Sequence, residues 1–109
     1  MQDAQTPYYR INEFTGPPQS RAAMLELIEQ AHAVLRSQHG FVRDLILERQ
    51  SDPGAFKIIT LIEFTGTAVV PQVSAALDAL EVQTGINRRE RTTQLGVRSD
   101  MGGYQRLEA

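Results

Sequence analysis

The stretch Gly40–Phe64 decides the fold: G-F-V-R-D-L-I-L-E-R-Q, then S-D-P-G, then A-F-K-I-I-T-L-I-E-F. Its two arms are rich in branched and aromatic residues. Its middle, Ser51-Asp52-Pro53-Gly54, is turn chemistry, with proline pre-setting one dihedral and glycine taking a positive one. The spacing predicts two β-strands joined as a hairpin. Side chains alternate along a strand, which places Phe41, Leu45 and Leu47 on one face with Arg43. Val42 and Ile46 fall on the other face with Asp44 and Glu48. In the second arm Phe56, Ile58, Ile62 and Phe64 alternate with Ile59 and Leu61, the pattern of a central strand buried on both sides. A hairpin with two apolar faces needs two covers.

The flanking sequence supplies the first cover. Upstream, Tyr8–Thr15 reads as a strand, stopped by Gly16-Pro17-Pro18. From Arg21 to about Gln38, Met24, Leu27, Ile28, Ala31 and Leu35 recur at helical spacing, with Ser20 as N-cap and Gly40 beyond the end. Downstream, Val69, Val73, Ala76, Leu77 and Leu80 form a second stripe, and Pro71 is tolerated there if it falls in the first turn. Asn87–Leu95 reads as a short polar helix. Val97–Leu107 reads as a last strand in which Gly102-Gly103 allows a bulge. The order is βαββαβ. It defines an α+β, ferredoxin-like fold with an antiparallel sheet and both helices on one face. Residues 1–7 are expected to be a flexible arm and residues 8–109 a single domain. The second cover is expected from another copy of the chain, in a homodimer joined through the sheet faces.

Composition narrows the function. At 109 residues there is room for one domain, and 41% hydrophobic with 22% charged residues is ordinary globular composition. A formal charge of −2 gives no field for nucleic acid or an anionic membrane, so neither is expected as a partner. The absence of cysteine excludes disulfides and thiolate chemistry. No apolar run approaches the roughly 20 residues that span a bilayer, and the polar N-terminus carries no signal core. A cytoplasmic protein is expected. No phosphate-cradling glycine loop, G-x-S-x-G elbow or H-E-x-x-H is present. His32 and His39 have no carboxylates at a metal-site spacing, so no metal is expected.

A few side chains remain as candidates. His32 lies at the margin of the first helical stripe, where it can serve as a base or a donor to a ligand. The commoner role for such a residue is a boundary histidine bonded to a carbonyl or to water. His39 suits the helix end. Asn12, mid-strand, can hold a ligand oxygen or face water. Arg10 and Arg43 can neutralise an anionic ligand or form cross-strand ion pairs with Glu13, Asp44 or Glu63. Arg88, Arg89 and Arg91, with Glu90 among them, read as a solvated helix face. Tyr8, Tyr9 and Tyr104 can rim a pocket or pack in a core or interface.

The spans I-N-E-F-T-G-P-P (11–18), H-A-V-L-R-S-Q-H-G-F-V-R-D-L-I-L-E-R-Q (32–50) and F-K-I-I-T-L-I-E-F-T-G (56–66) carry a resemblance. Together with the tail M-G-G-Y, they resemble the antibiotic biosynthesis monooxygenase domain of the dimeric α/β-barrel superfamily, over roughly residues 8 to 80. The resemblance implies a homodimer with facing sheets and a small pocket in each subunit between helices and sheet. It also implies oxidation of aromatic phenols by molecular oxygen without metal or flavin. Relatives that degrade haem use a first-strand asparagine, matched by Asn12, and a tryptophan at the end of the third strand, where Phe64 stands. Their second-helix histidine has no counterpart here, which disfavours haem degradation. Phe64 also replaces the tryptophan of many quinone-forming relatives and removes its N–H donor.

The leading expectation is a cofactor-independent, monooxygenase-like protein acting on a small aromatic or otherwise oxidisable metabolite. Asn12 would hold substrate or oxygen and His32 would accept a proton. Phe64 would wall the pocket, and Arg10 and Arg43 would contact substrate. The alternatives are a non-catalytic small-molecule-binding or stress-related dimer, and a cofactor-free isomerase or lyase needing only a base and a pocket.

Overall fold

The alternation along a single strand sets the architecture. A computed structural model of the chain describes residues 6–49 and 54–107. It contains β1 (Tyr8–Gly16), α1 (Arg21–Arg36), β2 (Phe41–Glu48), β3 (Phe56–Phe64), α2 (Val70–Thr84), α3 (Arg88–Gln94) and β4 (Arg98–Gln105). The sheet runs β2-β3-β1-β4, with every neighbouring pair antiparallel. This is the expected α+β, ferredoxin-like arrangement. Ser51, Asp52 and Pro53 of the expected turn, and residues 1–5 of the expected arm, lie outside the described residues.

On β3 the residues Phe56, Ile58, Thr60, Ile62 and Phe64 are all buried, while Lys57, Ile59, Leu61 and Glu63 between them are partly exposed. The first set faces the helices. α1 lies over it with Met24, Leu27, Ile28, His32 and Leu35 buried. The core divides into two apolar clusters. One joins Phe14, Met24, Leu27, Ile28, Phe56, Ile58 and Val97. The other joins Leu35, Ile62, Phe64 and Val69, with Val73 and Leu77 of α2 packed against it. No residue of α2 is itself fully buried. Pro71 falls in its first turn, where a missing N–H costs nothing, and Gly85 closes it with φ 72°.

Three local expectations are corrected. Strict alternation put Phe41 with Leu45 and Leu47, but the register slips by one between Phe41 and Arg43. A bulge adds one residue to one strand of a pair and reverses the parity beyond it. Phe41 therefore pairs with Phe64 and packs against the second cluster, on the helix side. The bulge foreseen at Gly102-Gly103 does not form: β1 and β4 stay in register from Tyr8↔Gln105 to Thr15↔Arg98. A side chain at Gly103 would instead run into the Tyr8 ring, whose Cε1 would lie 2.8 Å from the added Cβ. Ser20 precedes α1 without capping it, because its hydroxyl donates to the Leu95 carbonyl at 2.6 Å.

The outer face of the sheet is apolar at its centre. Ile11, Leu61 and Leu45 form one cross-strand row, and Ile59 and Leu47 lie in the next. Leu45 and Leu47 remain 44% and 51% exposed. Among the described residues no helix is long and apolar enough to cross a membrane.

Candidate functional site

Between α1, α2, α3 and the helix-facing side of the sheet lies a cavity of about 770 Å³. That is within the range of small-molecule sites. Its position follows from the sequence. The two apolar clusters are separated along β3 by Thr60, and Thr60 pairs with Asn12 across β1. The polar row interrupts the core, and α2 does not close down over it.

Thr60 and Asn12 both line this cavity, and their Oγ1 and Oδ1 atoms are buried without a hydrogen-bond partner. A buried polar atom left unpaired costs about 1–3 kcal/mol. Two such atoms on adjacent strands are therefore a standing cost in this arrangement. A hydroxyl can donate to the amide oxygen and accept from the threonine O–H.

His32 enters from α1, only 3% exposed, and lines the same space. Its Nδ1 lies 2.8 Å from Asp44 Oδ2 on β2. Arg36, one turn along α1, donates to the same oxygen from Nε at 3.0 Å and from a terminal nitrogen at 2.7 Å. The hydrogen bond from Arg36 is the main cause that lowers the Asp44 pKa. Burial opposes it, and the bond from His32 adds to it. An ionised carboxylate can only accept, so Nδ1 carries the proton. In the neutral ring the lone pair is then on Nε2, which makes no hydrogen bond among the described residues.

The remaining candidates separate cleanly. Asn12, His32, Phe64 and Arg10 all line the cavity. Phe64 is 1% exposed and stacks on Tyr8 with ring centroids 6.4 Å apart. Arg43 does not join them. It lies on the outer face, where its Nε donates to Glu63 at 2.8 Å, the cross-strand pair that was the other reading of this residue. His39 is not among the lining residues; its carbonyl accepts from the Gln72 side chain. Tyr8 lines the cavity, while Tyr9 and Tyr104 face each other from the other side of the sheet. Arg88 lines the cavity and is tied to Glu81 at 3.2 Å rather than standing on a free helix face.

Sequence reasoning missed Thr60 and Asp44. Thr60 had a visible signal: it is the one polar residue at an inward position of F-K-I-I-T-L-I-E-F. Asp44 had none, since its meeting with His32 depends on how α1 crosses β2. Among the described residues no three His, Cys, Asp or Glu side chains cluster as a metal site would need.

No protein-family model and no curated protein matches the sequence. Solved structures match the fold over nearly its whole length. SnoaB of Streptomyces nogalater, a cofactor-independent oxygenase, is 18% identical with a TM-score of 0.65, covering 95% of this chain and 96% of its own. A protein of Nitrosomonas europaea, provisionally designated an antibiotic biosynthesis monooxygenase, is 14% identical with a TM-score of 0.67 over 98% of this chain and 96% of its own. A dimeric ferredoxin-like protein from an uncultured marine organism is 14% identical with a TM-score of 0.61, covering 94% and 98%. The fold is that of the antibiotic biosynthesis monooxygenase structures, as the sequence resemblance implied.

Proposed function

We propose that this chain is an antibiotic biosynthesis monooxygenase-type enzyme that oxidises a small hydroxyarene with molecular oxygen, using no resident cofactor. The observation that carries the reading is the meeting of three things in one cavity: the Thr60–Asn12 pair of orphaned polar atoms, the His32 ring fixed by Asp44, and apolar walls including Phe64. The fold shared with a cofactor-independent oxygenase adds support.

The chemistry needs little from the protein. The substrate hydroxyl sits between Asn12 Oδ1 and Thr60 Oγ1, and Nε2 of His32 takes its proton. The resulting anion is electron-rich enough to reduce oxygen, and a new C–O bond forms at the activated ring carbon. The proton returns to the distal peroxide oxygen. The remaining hydrogen on that carbon is then lost as a proton, and its bonding pair forms the C=O as the O–O bond breaks. The departing hydroxide takes up a proton and leaves as water. For a ring methylene the balance is CH2 plus O2 giving C=O plus H2O, with one oxygen atom retained. The apolar walls exclude bulk water from the anion and hold ring and oxygen together.

Oxygen uptake with anthrone tests this, because its methylene becomes the carbonyl of anthraquinone. The expected result is turnover above the non-enzymatic background, reduced in His32→Ala and Asn12→Ala. No turnover across a panel of anthrones and hydroxyarenes would overturn it. Product formed without oxygen would instead mark an isomerase or lyase.

We also propose that two copies pair through their outer sheet faces as a dimeric α/β barrel. The support is the apolar row Ile11–Leu61–Leu45, partly exposed at Ile11 and Leu61 and exposed at Leu45.

A further inference from the structure

Arg10 stands apart from the paired cations on and around the sheet. Arg21 is paired with Glu48, Arg36 with Asp44, Arg43 with Glu63 and Lys57 with Glu13. Arg10 is half-buried in β1 and lines the cavity, and its guanidinium makes no hydrogen bond or ion pair among the described residues. A partly desolvated guanidinium with its donors unmet is costly. The fixed charges around the cavity lean the same way. Arg10, Arg88 and Arg89 line it against Glu81 alone, and Glu81 is held by Arg88. The chain as a whole is formally −2, so this cavity is positive against the sign of the molecule.

We propose that the cavity selects an aromatic ligand bearing a carboxylate, and that Arg10 is the residue that reads it. The planar guanidinium offers two parallel N–H groups, the geometry a carboxylate accepts. Arg10 and Asn12 share one face of β1, a spacing of about 7 Å along the strand. That is close to the span of one aromatic ring, so one end of a ring system meets Arg10 while a hydroxyl meets the Thr60–Asn12 row. The ligand class is a hydroxyarene carboxylate. This deepens the proposed activity by naming its substrate class, but the binding claim stands without any turnover.

The test uses oxidised ligands that cannot react: 4,5-dihydroxyanthraquinone-2-carboxylate and its neutral 2-hydroxymethyl counterpart. The two carry the same phenols, so a difference between them reports the carboxylate. Absorbance titration of the full chain is expected to give at least tenfold tighter binding of the carboxylate. Arg10→Met, which keeps much of the apolar stem, brings the two affinities within about twofold by weakening the carboxylate alone. Arg43→Met on the outer face leaves the ratio unchanged. Equal affinities in the wild type, or a ratio preserved in Arg10→Met, overturn the proposal. Should Arg10→Met not fold, Arg10→Gln carries the same comparison, and the wild-type ratio stands by itself as a test. A tenfold ratio without oxygen uptake on anthrones leaves this inference intact and removes the oxygenase reading. Uptake with no ratio does the reverse.

Discussion

His32 and Asp44 meet at 2.8 Å through Nδ1 and Oδ2, and Arg36 occupies the same carboxylate oxygen from the other side. One oxygen thus fixes an imidazole and a guanidinium. Arg36 supplies the counter-charge, so Asp44 stays ionised and acceptor-only, and the histidine is held with its proton on Nδ1. A first prediction follows from that tautomer. Asp44→Asn can present an amide N–H to Nδ1 and turn the ring's proton to Nε2, disabling the base without emptying the site. Loss of an orienting carboxylate behind a catalytic histidine costs up to about 10⁴-fold in other enzymes. A fall of roughly 10² or more in kcat/KM for anthrone oxidation is expected here, with the fold retained by circular dichroism. A change under about threefold would show that the ring is not the base.

The same carboxylate gives stability a pH dependence with a definite sign. The folded Asp44 pKa is lowered, first by the Arg36 hydrogen bond and further by His32. A depressed pKa contributes stability above the unfolded value and loses it as pH falls through the folded value. Urea unfolding of the wild type against Asp44→Asn should show the wild type more stable at neutral pH. The gap should close below about pH 4, where aspartate begins to protonate in the unfolded chain. A gap that stays constant into acid would assign the stabilisation to packing.

Thr60 offers a test in which stability and function move in opposite directions. Its Oγ1 is buried and unpartnered beside the unpartnered Asn12 Oδ1. Thr60→Val keeps the shape and removes the unmet group. The variant should be more stable by about 1 kcal/mol, a rise in Tm of roughly 4–8 °C for a domain near this size. Hydroxyarene binding should weaken at the same time. A lower Tm would mean that the hydroxyl is already satisfied, by water or by a neighbour.

How much of this was legible beforehand depends on the distance over which each feature is decided. The period-2 run on β3 and the helical stripe of α1 are local, and both appeared where the residues put them. Phe41 was misassigned because parity counting fails at a bulge, and a bulge is set by the pairing of two strands. Asn12 and His32 were visible as polar residues at core-adjacent positions. Their conjunction in one cavity, and the Asp44 that fixes the histidine, depend on helix placement over the sheet. Arg10 and Arg43 look alike in sequence. They differ because Arg43 has Glu63 opposite it on the outer face, while the one glutamate lining the cavity with Arg10, Glu81, is held by Arg88.

Gly103 tests whether Tyr8 shapes the cavity. A Cβ there would stand 2.8 Å from Tyr8 Cε1 and 2.9 Å from Cζ, so Gly103→Ala must displace the ring. Tyr8 stacks on Phe64, and both line the cavity. Overpacking of this kind costs about 1–3 kcal/mol. Reduced stability is expected together with altered ligand affinity. Unchanged affinity would place the Tyr8 ring outside the binding space.

The outer face tests the proposed pairing. Leu45 and Leu47 lie on β2, an edge strand, and are 44% and 51% exposed in the single chain. On a monomer, charging two such residues changes stability by little, because each is already half in water. In a sheet-to-sheet dimer the same change buries two carboxylates without partners, which is costly enough to dissociate the pair. Leu45→Glu/Leu47→Glu should therefore sediment as a monomer where the wild type sediments as a dimer. The wild-type Tm should rise with protein concentration while that of the variant does not, as mass action requires when folding and association are linked. A wild type that is monomeric at micromolar concentration would remove the barrel reading. The cavity would remain, because its lining residues all come from one copy.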